Sequence, residues 1–379
     1  MTIAGLMLVL TAASLGYVLL AMARLRAFAA AAGAPPGARP PLTVLKPVCG
    51  LDAGLYENLR SFCLQDYPRF QVIFGVADEA DPALPVLRRL QAELGHHDID
   101  IVVDPRLHGA NRKISNLVNM SARARHDILV IADSDMRVGP DYLSAVAAPF
   151  GDPAVGAVTC LYTGTATGNL ASVLGAAYIN ECFLPSVLVA TAFGRIDYCF
   201  GATMCVRREV LAAFGGFERL ACVLADDYML GRLVAAQGRR VVLSHHLVEN
   251  LVHEPSLRAL FLHELRWART VRSVQPVGFA FSFLSYAVPM AFLNLLAAAG
   301  SGLSLALLGA AVALRVRMHY TARRCLRLSG PARPWLAPLR DILCFVVWAA
   351  SFLGRTVRWR DGDLRVQTNG DIVFKESTS

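Results

Sequence analysis

Residues 3–22 (IAGLMLVLTAASLGYVLLAM) carry no charged side chain and match the length of one helical crossing of a bilayer. A run of this kind is either an uncleaved anchor or a secretory signal. A signal needs a basic stretch ahead of its apolar core. Here Arg24, Arg26, Arg39 and Lys46 follow the run instead. The anchor reading is favoured, and the positive-inside rule then places the next domain on the cytoplasmic side.

Composition supports a membrane setting. Of 379 residues, 55% are hydrophobic and only 17% charged, against about 25% charged in an ordinary soluble domain. The net charge is +8, with basic residues gathered beside the apolar segments. That arrangement suits anionic headgroups. No nucleic-acid motif and no basic helix with interleaved aromatics is present, so nucleic acid is not expected as a partner. The nine cysteines form no C-x-x-C pair, which argues against structural zinc and for reduced, mostly buried thiols.

Five segments are expected: an anchor (1–23), a Pro/Gly/Ala linker (24–41), a catalytic domain (42–275), a C-terminal membrane region (276–354) and a tail (355–379). Within 42–275, strand-like runs at 42–46, 71–77, 99–103, 127–132, 155–160 and 240–244 alternate with helix-like segments. Strands joined by crossover helices predict an α/β fold with a mostly parallel sheet, its ligand at the C-terminal strand ends. Residues 169–193 are too apolar for a surface loop and read as core, as part of a lipid-facing cavity or, slightly favoured, as an interfacial helix. Residues 277–314 read as two short spans broken at Gly300–Gly302. A basic loop from Arg315 to Arg333 and a last apolar segment at 335–353 follow, and the topology of these spans stays open.

Polar motifs punctuate the α/β stretch. Asp133-Ser134-Asp135 closes the apolar run ILVIA, and two carboxylates so placed can hold one hard cation, Mg²⁺ or Mn²⁺, that neutralises a diphosphate. Asp78-Glu79 ends the second strand, where an acid can accept hydrogen bonds from a nucleoside. Gly109–Asn116 is a polar loop opening a helix, and its N-terminus with Lys113 suits a diphosphate. Only Lys46, Lys113 and Lys375 are lysines among 37 basic residues. Asp226-Asp227 precedes a helical run; it either complements the helix dipole or supplies a general base. His263-Glu264-Leu265-Arg266-Trp267 puts His263 and Arg266 on one helical face, while Trp267 occupies the place where a zinc-protease motif needs a second histidine.

This series resembles the metal-dependent GT-A glycosyltransferases, and among them the ceramide glucosyltransferase family. The runs LKPVCGLDAGLYENLRSFCLQDYP, VADEADPA, NRKISNL, DSDMRV, FGATMCVRREVL and ADDYMLG carry the likeness. HGANRKISNL, CFGATM and HEPSLRALFLHELRWARTVR resemble the bacterial hopanoid-biosynthesis branch. The resemblance implies a GT-A nucleotide-diphospho-sugar transferase fold, a Rossmann-like mixed sheet with an N-terminal transmembrane helix and C-terminal membrane helices. It implies donor binding by Asp78, Glu79, Lys113, Asp133 and Arg266, a metal on Asp133 and Asp135, and catalysis by Asp227 with Arg266 and Trp267. His263 stands where the family's (Q/R)-x-x-R-W pattern has Gln or Arg, so an imidazole replaces a fixed amide or guanidinium there. The implied reaction is a single inverting transfer from a UDP-sugar, UDP-N-acetylglucosamine, to a lipid acceptor, a hydroxylated hopanoid such as bacteriohopanetetrol. The alternatives are UDP-glucose with ceramide, and a processive polysaccharide synthase.

Overall fold

The computed structural model describes residues 2–31, 37 and 39–354, together with the backbone of three tail strands, Thr356–Trp359, Gly362–Val366 and Ile372–Phe374. Six residues of the expected linker (32–36 and 38), with Met1, Arg355, Arg360, Asp361, 367–371 and 375–379, lie outside the described residues, and residues 24–30, expected as linker, are helical. The chain forms two compact units. One comprises Met1–Ala31, Thr163–Gly194 and Val252–Asp361; the other comprises Ala32–Tyr162, Arg195–Leu251 and Gly362–Ser379.

The second unit is built on an eight-stranded sheet: β1 (Leu42–Pro47), β2 (Phe70–Val76), β3 (Ile99–Val103), β4 (Ile128–Ile131), β5 (Met136–Arg137), β6 (Val155–Ala166), β7 (Met204–Arg207) and β8 (Arg240–Val252). The strand order is β3-β2-β1-β4-β7-β6-β8-β5. The half from β3 to β4 is parallel, as the alternation of strands and helices predicts. The other half is not. β7 runs antiparallel to both β4 and β6, and β5 runs antiparallel to β8. The sheet is therefore mixed, and the expectation of a mostly parallel sheet holds for only half of it.

Strand alternation explains the core. Val44, Val72 and Val130 pack into a cluster with Phe62 and Tyr142, while Leu45, Ile73 and Ile131 pack into a second cluster with Ile114 and Leu117. Successive side chains point to opposite faces of a strand. Both faces are covered by helices, so β4 (ILVI) is apolar at every position and buried throughout.

In the other unit, Ile3–Ala30 is one helix, longer than the apolar run alone. It and Gly302–Cys325 are long and apolar enough to cross a membrane, as is the stretch Leu170–Ala190; Pro276–Ser285 with Ala287–Ala297, bent by 71°, would make a fourth. In Leu170–Ala190, 61% of the apolar window is buried, against 17% for the first helix. Its residues are chiefly core, not the interfacial helix slightly favoured from sequence. The break near Gly300 is a tight turn with positive φ at Ala299 and Gly300. The expected basic loop is a second correction: Arg315, Arg317, Arg323 and Arg324 belong to the helix Gly302–Cys325. Arg315 is buried and paired with Asp341, and Arg340 with Glu264. Buried guanidiniums so paired tie helices together, and removing one partner costs about 3–5 kcal/mol.

Candidate active site

The site residues lie where strands hand over to helices. Asp133 and Asp135 follow β4 directly. Asn111 caps the helix Arg112–Ser121, its side chain accepting from Ile114 N at 3.1 Å. That cap fixes the first turn, which carries Lys113. Asp226 and Asp227 open the helix Asp226–Ala236, where the macrodipole favours acids.

Folding brings three of these segments together. Lys113 Nζ lies 2.7 Å from Asp133 Oδ1 and 3.3 Å from Asp226 Oδ2. Asn111 Nδ2 also donates to Val223 O at 2.9 Å, which ties the Lys113 loop to the segment before Asp226. Asp227 accepts from Gly201 N at 2.8 Å and from Tyr228 N at 2.7 Å. A Cβ built on Gly201 would fall 3.0 Å from Asp133 Oδ2, 3.5 Å from Asp227 Oδ2 and 3.8 Å from Lys113 Nζ. Two carboxylates and an ammonium thus converge over a residue with no side chain.

A second layer holds the Asp133–Asp135 turn. Lys46, buried at the end of β1, donates to the Asp133 carbonyl and stacks 3.7 Å above the Phe62 ring. Ser134 Oγ donates to Asp52. Asn250 Nδ2 donates to Asp135 Oδ2 at 2.8 Å, and Leu251 N donates to Asp135 O.

The electrostatics follow from this crowding. Burial first, then the neighbouring Asp133 charge, pushes the Asp135 carboxyl up to about 6, despite the Asn250 bond. Burial and Asp226 raise Asp227 to about 6, with Lys113 pulling the other way. Burial works against the Lys113 ammonium, but Asp133, Asp226 and Asp227 outweigh it and hold it charged well above the usual lysine range. Burial draws Lys46 down to about 7.

A divalent cation fits these residues. Asp135 Oδ1 is buried and has no hydrogen-bond partner, an arrangement that is costly unless a cation or donor satisfies it. Among the described residues no group of three or more His, Cys, Asp or Glu forms a metal cage. Mg²⁺ or Mn²⁺ needs none, because it binds through one or two carboxylates and completes its shell with phosphates and water.

Asp78 and Glu79 sit at the end of β2, as expected, but no hydrogen bond or ion pair joins them to this cluster among the described residues. Asp78 caps its own loop by accepting from Ala80 N at 2.9 Å, and Glu79 is exposed and paired with Arg88. Arg266 and Trp267 belong to the other unit, on the helix Leu257–Val274. There Trp267 stacks on Tyr178 with ring centroids 6.0 Å apart, and His263 lies 4.2 Å from the Trp267 ring.

Sequence reasoning assigned no role to Gly201, Asn250 or Glu254. Gly201 lies in the run CFGATM, which marks it without saying why. Asn250 has no signal, since its role exists only once β8 pairs with β5. Gly201→Ala is expected to push the Asp133 carboxylate, 3.0 Å from the new Cβ, aside and lower turnover roughly 10- to 100-fold. The Tm should change little, and steady-state kinetics with a melting curve checks both.

The model of glycosyl transferase family 21 matches residues 6–372. Ceramide glucosyltransferase 1 of Caenorhabditis elegans is 23% identical over 238 residues, covering 62% of this chain and 51% of that one. Ceramide glucosyltransferase of Pyricularia oryzae is 36% identical over 114 residues, covering 26% and 23%. The chain spans about half the length of the first curated relatives it matches. A mannosyltransferase from Pyrobaculum calidifontis, solved with GDP-Man and Mn²⁺, aligns over 92% of this chain and 98% of its own at TM-score 0.60 and 22% identity. That likeness bears on the fold, which is the GT-A type. With nearly its whole length matched, the chain belongs to glycosyl transferase family 21.

Proposed function

We propose that this glycosyltransferase moves one glucose from UDP-glucose to a hydroxyl of a ceramide-type lipid at the cytoplasmic face of a bacterial inner membrane. The curated relatives are ceramide glucosyltransferases, which favours this reading over UDP-N-acetylglucosamine and a hopanoid. The observation that carries it is the convergence of Asp133, Asp227 and Lys113 over Gly201.

Asp133 and Asp135 would hold the cation, which supplies charge neutralisation to the departing diphosphate. Lys113 contacts the same diphosphate. Asp78, with Glu79 beside it, binds the uracil-ribose end. Asp227 accepts the proton of the lipid hydroxyl as that oxygen attacks the anomeric carbon, and UDP leaves from the opposite side. A single displacement inverts the anomeric centre. Arg266 and Trp267 take the roles that the family motif gives them, phosphate contact and bracing of the acceptor.

The proposal is tested by incubating the purified protein with UDP-[14C]glucose, Mn²⁺ and a short-chain ceramide in detergent. A monoglucosylated lipid of inverted linkage is expected. No lipid product, or a polymer, would overturn it. The base must be ionised to act, and burial sets Asp227 at about 6. The rate is therefore expected to fall about tenfold per pH unit below about pH 6 and to level off above it, as a pH–rate profile of kcat/KM will show.

A further inference from the structure

His263 has a partner that the sequence pattern does not announce. Its Nδ1 lies 2.6 Å from Glu254 Oε1. Glu254 is buried, and its backbone is fixed to the cap of the helix beginning at Leu170: Glu254 N donates to Ser172 Oγ at 2.9 Å, and Asn169 Nδ2 donates to Glu254 O at 2.8 Å. A carboxylate oxygen accepts, so this contact suits a ring that carries its proton on Nδ1. The His263 side chain is 34% exposed against 9% for Glu254. Nδ1 is therefore committed to Glu254, and Nε2 is the ring nitrogen open to a further partner. His263, Arg266 and Trp267 stand three and four residues apart on one helix and share a face.

We propose that Glu254 is a positioning residue that locks His263 as the Nδ1–H tautomer, so that Nε2 accepts a hydrogen bond from a hydroxyl of the lipid acceptor other than the one that attacks the sugar. The inference rests on the lipid-glycosylation reading above and adds a recognition element to it. A lone pair on Nε2 attracts a hydroxyl. It does not attract a phosphate, which itself only accepts. A histidine at this position thus suits a hydroxyl better than a phosphate, and the Trp267 ring packs beside it with centroids 4.2 Å apart.

Two measurements test this separately. The protein labelled with 15N-histidine is examined by NMR, with H263Q identifying the signal. Nδ1 of His263 should be protonated and Nε2 bare, and E254Q should abolish that preference. A proton on Nε2 alone, or a spectrum unmoved by E254Q, overturns the pairing whether or not sugar transfer is detected. Kinetics with UDP-glucose and a short-chain ceramide then tests the recognition. Gln can accept a hydrogen bond and Arg cannot. H263Q should stay within about threefold of wild type, while H263R should raise the KM for the lipid roughly 10- to 100-fold and leave that for UDP-glucose unchanged. E254Q should impair wild type but cost little more once H263Q is present. Full lipid affinity in H263R, or a raised KM for the nucleotide alone, would overturn hydroxyl recognition. If wild type transfers sugar to no lipid, the parent reading fails, and the NMR result still decides the pairing.

Discussion

Asp227→Asn is expected to lower kcat for sugar transfer roughly 10²- to 10⁴-fold, the usual range for removing a general base. The change keeps the shape of the side chain and removes its basicity. It also has a structural cost that can be accounted for. Both Asp227 oxygens accept backbone N–H groups, from Gly201 and Tyr228. An amide can serve only one of them, so one donor is orphaned at about 1–3 kcal/mol. A melting curve separates this from the catalytic loss. A lower Tm with UDP binding intact and transfer gone fits the role of base. Transfer within tenfold of wild type would remove Asp227 from that role.

Asp135→Ala is expected to have an effect of similar size through a different property. Its Oδ1 is buried without a partner and its Oδ2 is held by Asn250. Asn250 thus occupies one oxygen and leaves Oδ1 as the one that would hold a cation. A cation contributes several kcal/mol to stabilising a departing diphosphate, so transfer should fall about 10³-fold. Added Mn²⁺ or Mg²⁺ should not restore it. Direct Mn²⁺ binding, read by electron paramagnetic resonance on the apo protein, should weaken as well. Mn²⁺ affinity equal to wild type would place the cation elsewhere.

The sequence reveals these acids individually because each stands at a strand end or helix start, where a change of hydropathy marks it. It does not reveal their convergence, which depends on the antiparallel half of the sheet. β7 is only four residues long and β5 only two, too short for a periodic signal to rise above chance. β8 is strand to Val252 although its second half, SHHLVENLV, mixes polar and apolar residues, because one side of that half is not in the core. The arginines from Arg315 to Arg324 look like a solvated loop because charge is the only local cue. Buried Asp341 and Glu181, distant in sequence, are what allow Arg315 and His319 to sit inside. Lys46 was conspicuous as one of three lysines, but its hold on the Asp133 carbonyl is a tertiary fact.

Calorimetric titration of UDP into the purified protein, with and without Mn²⁺, bears most directly on whether Asp133, Asp135 and Lys113 form a cation-bridged diphosphate site. Binding is expected with Mn²⁺, with EDTA abolishing it and Asp135→Ala preventing it. UDP affinity that is the same in EDTA, or unchanged by Asp135→Ala, would contradict the account.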